Sequence, residues 1–184
     1  MQRWTQKKLS TQGFTLVELM VVVSIIGILA SIGIPKFNQY QAKSKSSEAK
    51  IKLASIYQAE VTLQSEFSTF ATCLGFMGIA ADTNAYYALG FNAENSAANG
   101  AVNTNGNILT CVAGAFQFDA AKGAGGTPME KTDLSNATCI VGATGSTFQA
   151  CAKGAIDSAK STAVLADEWT INQNKNLINS NKGY

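Results

Sequence analysis

The chain has 184 residues, 46% of them apolar, and its 14 lysines and arginines stand against 12 acids, leaving a net charge of +2. It contains no histidine, so the usual general base near neutral pH is missing and Ser-His and Cys-His nucleophile pairs are excluded. A non-enzymatic protein without a cofactor is expected, and the small charge excess gives no basis for a nucleic-acid-binding face.

The first segment, Met1 to Gly13, carries Arg3, Lys7 and Lys8 and no acid. Removing it would leave 11 basic residues against 12 acidic ones, so the positive excess belongs to this head. From Phe14 to Ile34 the chain is predominantly apolar and carries one charged residue, Glu18. At roughly 1.5 Å of helical rise per residue this run spans about 30 Å, the hydrocarbon thickness of a bilayer. Basic residues stay on the cytoplasmic side, which places Met1 to Gly13 inside and the remainder outside. A secretory signal would carry its small-residue cleavage site after the apolar region. Here the sharp polar boundary comes before it, between Gly13 and Phe14.

Pro35 follows the apolar run and is expected to kink a helix there, with Gly27 and Gly33 weakening it locally. From Lys36 to about Phe67 there is no Gly or Pro, and Ala49, Leu53, Ile56, Leu63 and Phe67 recur at helical spacing. The opposite face carries Lys45, Glu48, Lys50 and Lys52, read as solvated. Glu60 falls on the apolar stripe, so it either lies at the stripe's edge or has a polar partner.

After Phe70 the composition shifts to Ala, Gly, Asn, Ser and Thr. Four runs, Ala85 to Phe91, Ile108 to Phe118, Thr147 to Ile156 and Glu168 to Gln173, read as strands. Asn92 to Asn107 and Lys122 to Pro128 read as loops, and neither glycine-rich stretch has phosphate-binding spacing. Tyr86, Tyr87, Phe91, Phe116, Phe118 and Trp169 are expected to form the core of this part. Asp167-Glu168, the adjacent acidic pair, reads as solvated acids at a strand start rather than as a catalytic dyad. Asn136-Ala137-Thr138 fits a glycosylation sequon, a triplet common by chance. The predicted fold is α+β, a long helix packed on a small antiparallel sheet. Its divisions are a leader at 1–13, a membrane-spanning helix at 14–35, an amphipathic continuation at 36–70 and a β-rich head at 71–184.

All four cysteines, Cys73, Cys111, Cys139 and Cys151, lie in the head, outside the membrane run. Disulfides in an oxidising compartment suit them better than zinc, since there is no CxxC and no histidine. Of three connectivities, Cys73 with Cys111 and Cys139 with Cys151 closes the shorter loops.

The residues Gly13-Phe14-Thr15-Leu16-Val17-Glu18-Leu19, behind a basic head and opening the apolar run, resemble the type IV pilin and pseudopilin family. The resemblance is close over about the first 65 residues. It implies cleavage after Gly13 by a prepilin peptidase, N-methylation of Phe14, and assembly of identical subunits into a helical filament by inner-membrane machinery. The precursor would sit in the inner membrane and the product on the cell surface. The Cys139 and Cys151 pair is similar to the C-terminal disulfide loop of many pilins. On this reading Glu18, costly within lipid at about 2.5 to 3.5 kcal/mol, meets the new Phe14 amine of a neighbouring subunit. Filaments of the family serve attachment, twitching motility and DNA uptake, which brings DNA and surface ligands into view as partners. A minor pilin, a type II secretion pseudopilin and a membrane-anchored periplasmic binding module are the alternatives. Aromatic residues along the helix, including Phe37, Tyr40 and Tyr57, are read as packing rather than as an electron path.

Overall fold

The computed structural model describes residues 13–104, 115–123, 128–134, 138–157, 162 and 165–184. The basic head up to residue 12, the sequon residues Asn136 and Ala137, Cys111 and most of the expected strand from Ile108 lie outside them. The chain divides into two compact units, 1–37 and 38–184.

Helix α1 spans Leu16–Phe67 without a break, with Pro35 inside it. Proline's fixed φ suits a helix, and what is lost is the donor that would have met the carbonyl four residues back, at Ser31. Within the first unit an 18-residue window of mean hydropathy 2.5 is long and apolar enough to cross a membrane, and none of it is buried.

In the second unit α1 buries Ala42, Ser46, Ala49, Leu53, Ile56, Glu60 and Leu63. These alternate at spacings of four and three, a straight seam on one helix face. Phe67, expected in the seam, is half-buried. Of the two places expected for Glu60 the structure takes the second: it sits at 0% exposure in the middle of the apolar row, with the Ala71 N–H as its polar partner at 3.1 Å.

The seam packs on a five-stranded, wholly antiparallel sheet ordered β2-β1-β3-β4-β5. The strands are β1 (Ala88–Gly90), β2 (Gln117–Phe118), β3 (Gln149–Gly154), β4 (Asp167–Asn172) and β5 (Leu177–Asn181). Strands β1 and β3 lie within the expected runs, β4 begins one residue before its run, and β2 falls at the described end of the run from Ile108. The fifth, β5, reads Leu-Ile-Asn-Ser-Asn, too polar and exposed for its alternation to stand out. It exists because β4 offers it a ladder, Ile171 opposite Leu177 and Thr170 opposite Ile178.

Side-chain alternation divides the sheet between two cores. Leu89, Ala150, Ala152 and Ile171 join Leu53, Ile56 and Phe148 beneath the helix, where the Phe70 and Phe148 rings meet edge to face at 4.8 Å. Ala88 and Cys151 point into a second core with Ala120, Met129, Leu134 and Cys139. Of the six aromatics assigned to the core, Tyr87 and Phe91 are fully buried and the other four are half-buried.

The stretch Asn92 to Asn107, expected as a loop, contains helix α2, Ser96–Thr104. Asn95 caps it, its Oδ1 accepting Ala98 N–H at 3.0 Å. Ala98 and Val102, four apart, are its buried apolar residues and hold it down, with Asn99 buried beside them. The Asn and Gly content masked a short helix that has a cap and an anchoring pair.

Gly90 shows why β2 approaches so closely. Its φ is +133°, and a Cβ there would collide with the backbone of Phe116 and Gln117.

Candidate functional site

In the first unit every large apolar side chain from Leu16 to Ile34 is exposed, as is Phe14 at 83%. A surface of this extent and composition requires lipid or other helices as its surroundings. The hydroxyls within it are satisfied inside the helix: Ser24 Oγ donates to Met20 O at 2.8 Å and Ser31 Oγ to Ile28 O at 2.7 Å. Such internal bonding is what a polar side chain in hydrocarbon needs.

Glu18 occupies the first turn of α1, where the helix dipole favours a carboxylate. Its Oε2 accepts the Thr15 backbone N–H at 3.1 Å and the Thr15 hydroxyl at 2.8 Å, while Thr15 Oγ1 accepts the Glu18 N–H at 3.2 Å. This reciprocal pair is a capping box. It adds a role that reading Glu18 as a lone acid in an apolar run overlooks. The signal was present, since Thr15 and Glu18 have the Thr-x-x-Glu spacing at a helix start. Gly13 and Phe14 precede the helix, so the bond between them lies in non-helical chain.

Two neighbouring acids at the start of β4 are held inside the head. Asp167 is fully buried and accepts four bonds, from Tyr87 Oη at 2.5 Å, Trp169 Nε1 at 2.7 Å, Asn179 Nδ2 at 3.0 Å and Gly183 N–H at 3.2 Å. Burial, followed by the Asp167 hydrogen bond, pushes the Tyr87 hydroxyl far above the usual tyrosine range. Next to it in sequence, Glu168 lies opposite Lys153 across the β3–β4 ladder, 3.6 Å from its ammonium, and both side chains are nearly buried. The expectation of solvated acids is therefore corrected: β4 runs inside the sheet, so its first two residues point into packed surroundings. Both carboxylates are structural here, one saturated by donors from the residue before β1, from β4, from β5 and from the C-terminal residues, the other paired.

Cys139 and Cys151 form a disulfide, with Cα atoms 5.6 Å apart. The Glu168 carboxylate lies within 4.8 Å of both sulfurs. With the sulfurs bonded to each other, neither is a thiolate that could ligate zinc. Cys73 is fully buried and disulfide-bonded. Cys111, its expected partner, is outside the described residues.

The flank of α1 read as solvated is largely engaged. Both Glu48 oxygens accept Tyr86 N–H, at 3.0 and 3.2 Å, and Lys52 pairs with Asp82 at 2.8 Å. Lys45 lies over the Tyr86 ring and Lys50 over the Trp169 ring, at 4.8 and 4.6 Å from the centroids. Long basic side chains here bind the helix edges to the sheet through ring faces.

Residues 9–34 match the family model described as the prokaryotic N-terminal methylation motif. The chain is similar to the type IV major pilin protein PilA of Myxococcus xanthus, with 54% identity over 68 residues, covering 35% of this chain and 31% of that protein. It is also similar to the fimbrial protein EcpC of Eikenella corrodens, 40% identical over 98 residues, covering 53% and 60% of the two chains. With the type IV major fimbrial protein FimA of Dichelobacter nodosus it shares 60% identity over 37 residues, 20% and 23% of the respective lengths. The chain thus spans at most about three fifths of the length of these relatives.

Proposed function

We propose, for a chain whose N-terminal segment bears the methylation motif and resembles the type IV major pilins, that it is a structural subunit of a type IV pilus. One observation carries the reading: an exposed apolar helix of membrane-spanning length whose single carboxylate stands at the fifth position after Gly13.

In this account a prepilin peptidase cuts between Gly13 and Phe14, the Phe14 amine is methylated, and the helix waits in the inner membrane. Assembly moves it from lipid into a bundle of identical helices. Apolar burial gains little in that transfer, because lipid is as apolar as the bundle. Specificity therefore comes from side-chain packing and from the polar pair that lipid cannot supply. The Phe14 ammonium of one subunit meets Glu18 of the next and sets the register between them. Thr15 holds the Glu18 side chain in place for that encounter. Assembly machinery and its energy source lie outside this chain.

The test is to shear the surface of cells expressing the wild-type chain or Glu18→Val and examine the released material by electron microscopy. Abundant filaments of this chain from the wild type, with Glu18→Val processed and membrane-bound but unassembled, are expected. Equal filament yield from Glu18→Val would remove the register role, and short periplasmic rods or a monomeric anchored protein would favour the pseudopilin or the binding module.

A further inference from the structure

The filament account makes no use of Glu60, a buried carboxyl in the head. Its side chain lies in the apolar seam of α1, between Ile56 and Leu63, at 0% exposure. One oxygen, Oε2, accepts the Ala71 backbone N–H at 3.1 Å. The other, Oε1, is buried and has no hydrogen-bond partner. One helical turn on, on the same face, Gln64 Oε1 is a second buried acceptor with none. Two acceptors without a donor in one apolar place call for a donor.

We propose that Glu60 is a protonated carboxylic acid in the folded head, and that its ionisation releases the segment beginning at Ala71, making the head a proton-responsive latch. A proton on Oε1 answers both deficiencies: it removes a charge that this setting cannot solvate, and it supplies a donor one turn from Gln64 Oε1. Oε2, which carries no proton in the acid, stays free to accept the Ala71 N–H while the proton sits on Oε1. When the proton leaves, an ionised carboxylate in a dry apolar row is driven toward water, because burying it unpaired is expensive. The Ala71 contact moves with it.

Among the described residues no counter-charge stands beside Glu60 to hold the ionised form. On α1 the polar neighbour is Gln64. The segment after the helix presents Ala71, Thr72 and the disulfide-bonded Cys73, and α2 presents Asn99, whose Oδ1 accepts Thr72 N–H at 3.0 Å and Cys73 N–H at 3.2 Å. The nearest charge along this chain of bonds is Glu94, like in sign, accepting from Asn99 Nδ2 at 3.2 Å. From the sheet side the seam meets Phe70, Phe148 and Ile171, all apolar. Burial raises the Glu60 pKa well above the ordinary 4.5, and the Ala71 N–H opposes this only in part. The latch matters to folding as well as to charge, since the segment it holds opens on Cys73 and packs with Phe76 and Val102.

The sign follows. The folded state keeps its proton to higher pH than the unfolded chain, so folding is favoured fully below the unfolded pKa and loses ground as pH rises toward the folded one. Each pH unit in that window lowers the folding constant about tenfold. The inference concerns the head alone and stands whether or not the chain polymerises.

Thermal unfolding of the full-length, disulfide-intact chain in detergent, from pH 4 to pH 9, tests it. The wild-type midpoint should fall as pH rises above the ordinary glutamate range, with hydrogen exchange at Ala71 and Thr72 quickening in the same window. Glu60→Gln, which supplies a permanent donor, should flatten both profiles and exceed the wild type at high pH. A Glu60→Gln profile that keeps the wild-type slope would overturn the proposal. If that variant does not fold, infrared spectra of the wild type with isotope-labelled glutamate decide: a protonated-carboxyl band at neutral pH supports the latch, and its absence refutes it.

Discussion

Among single residues, Glu18 combines two duties that no substitution of Glu18 itself can separate. It completes a capping box with Thr15 inside its own chain, and in the proposed filament it faces the amine of another. Thr15→Ala divides them, removing the hydroxyl while leaving the carboxylate. That change should cost about 1 kcal/mol at the helix start, seen as faster amide exchange in the first turn, while filaments still form at reduced yield. Asp167 offers a second residue-level test. Tyr87→Phe deletes one of its four donors inside a dry site, so the chain should lose about 1 to 3 kcal/mol in chemical denaturation. The two acids were unequally legible in the sequence. Glu18 stood out because nothing else near it was charged, whereas Asp167 looked like an ordinary turn acid. Its partners come from positions 87, 169, 179 and 183, a convergence that only the folded sheet creates.

The elements divide in the same way. Helix α1 was readable because its apolar run and its stripe both persist over many turns, and strands β1, β3 and β4 because short apolar runs are bounded by turn residues. Helix α2 was not, since Asn95, Asn99 and Gly100 imitate loop composition, and β5 was not, since its residues are mostly polar and it depends on β4 for its ladder. The disulfide belongs to this scale. It joins β3 to the segment covering the sheet's second face, across a sequence separation of 12. Replacing Cys139 and Cys151 together by alanine should destabilise the head by about 2 to 4 kcal/mol, read as a lower unfolding midpoint. Gly90→Ala should also lower it, by more than about 1 kcal/mol, because the backbone there is in a region closed to side chains and β2 leaves no room for a Cβ.

For the whole molecule, the two units answer different demands. The first exposes an apolar surface whose polar groups are satisfied within the helix, as a lipid or bundle environment requires. The second is a two-sided sheet whose buried acids are held by donors, by a paired lysine or, at Glu60, by the inferred proton. Similarity to known pilins is strong but partial in length, and it is best supported over the methylation motif. The head's composition alone said little beyond a small exported domain, because its polar loops carry no motif.

The central claim is that removal of the basic head creates the amine that Glu18 needs. Mass spectrometry of the intact N-terminal peptide from sheared surface polymer tests it most directly. A peptide starting at Phe14 and heavier by one methyl group is predicted. A polymer of this chain that begins at Met1 would contradict the account.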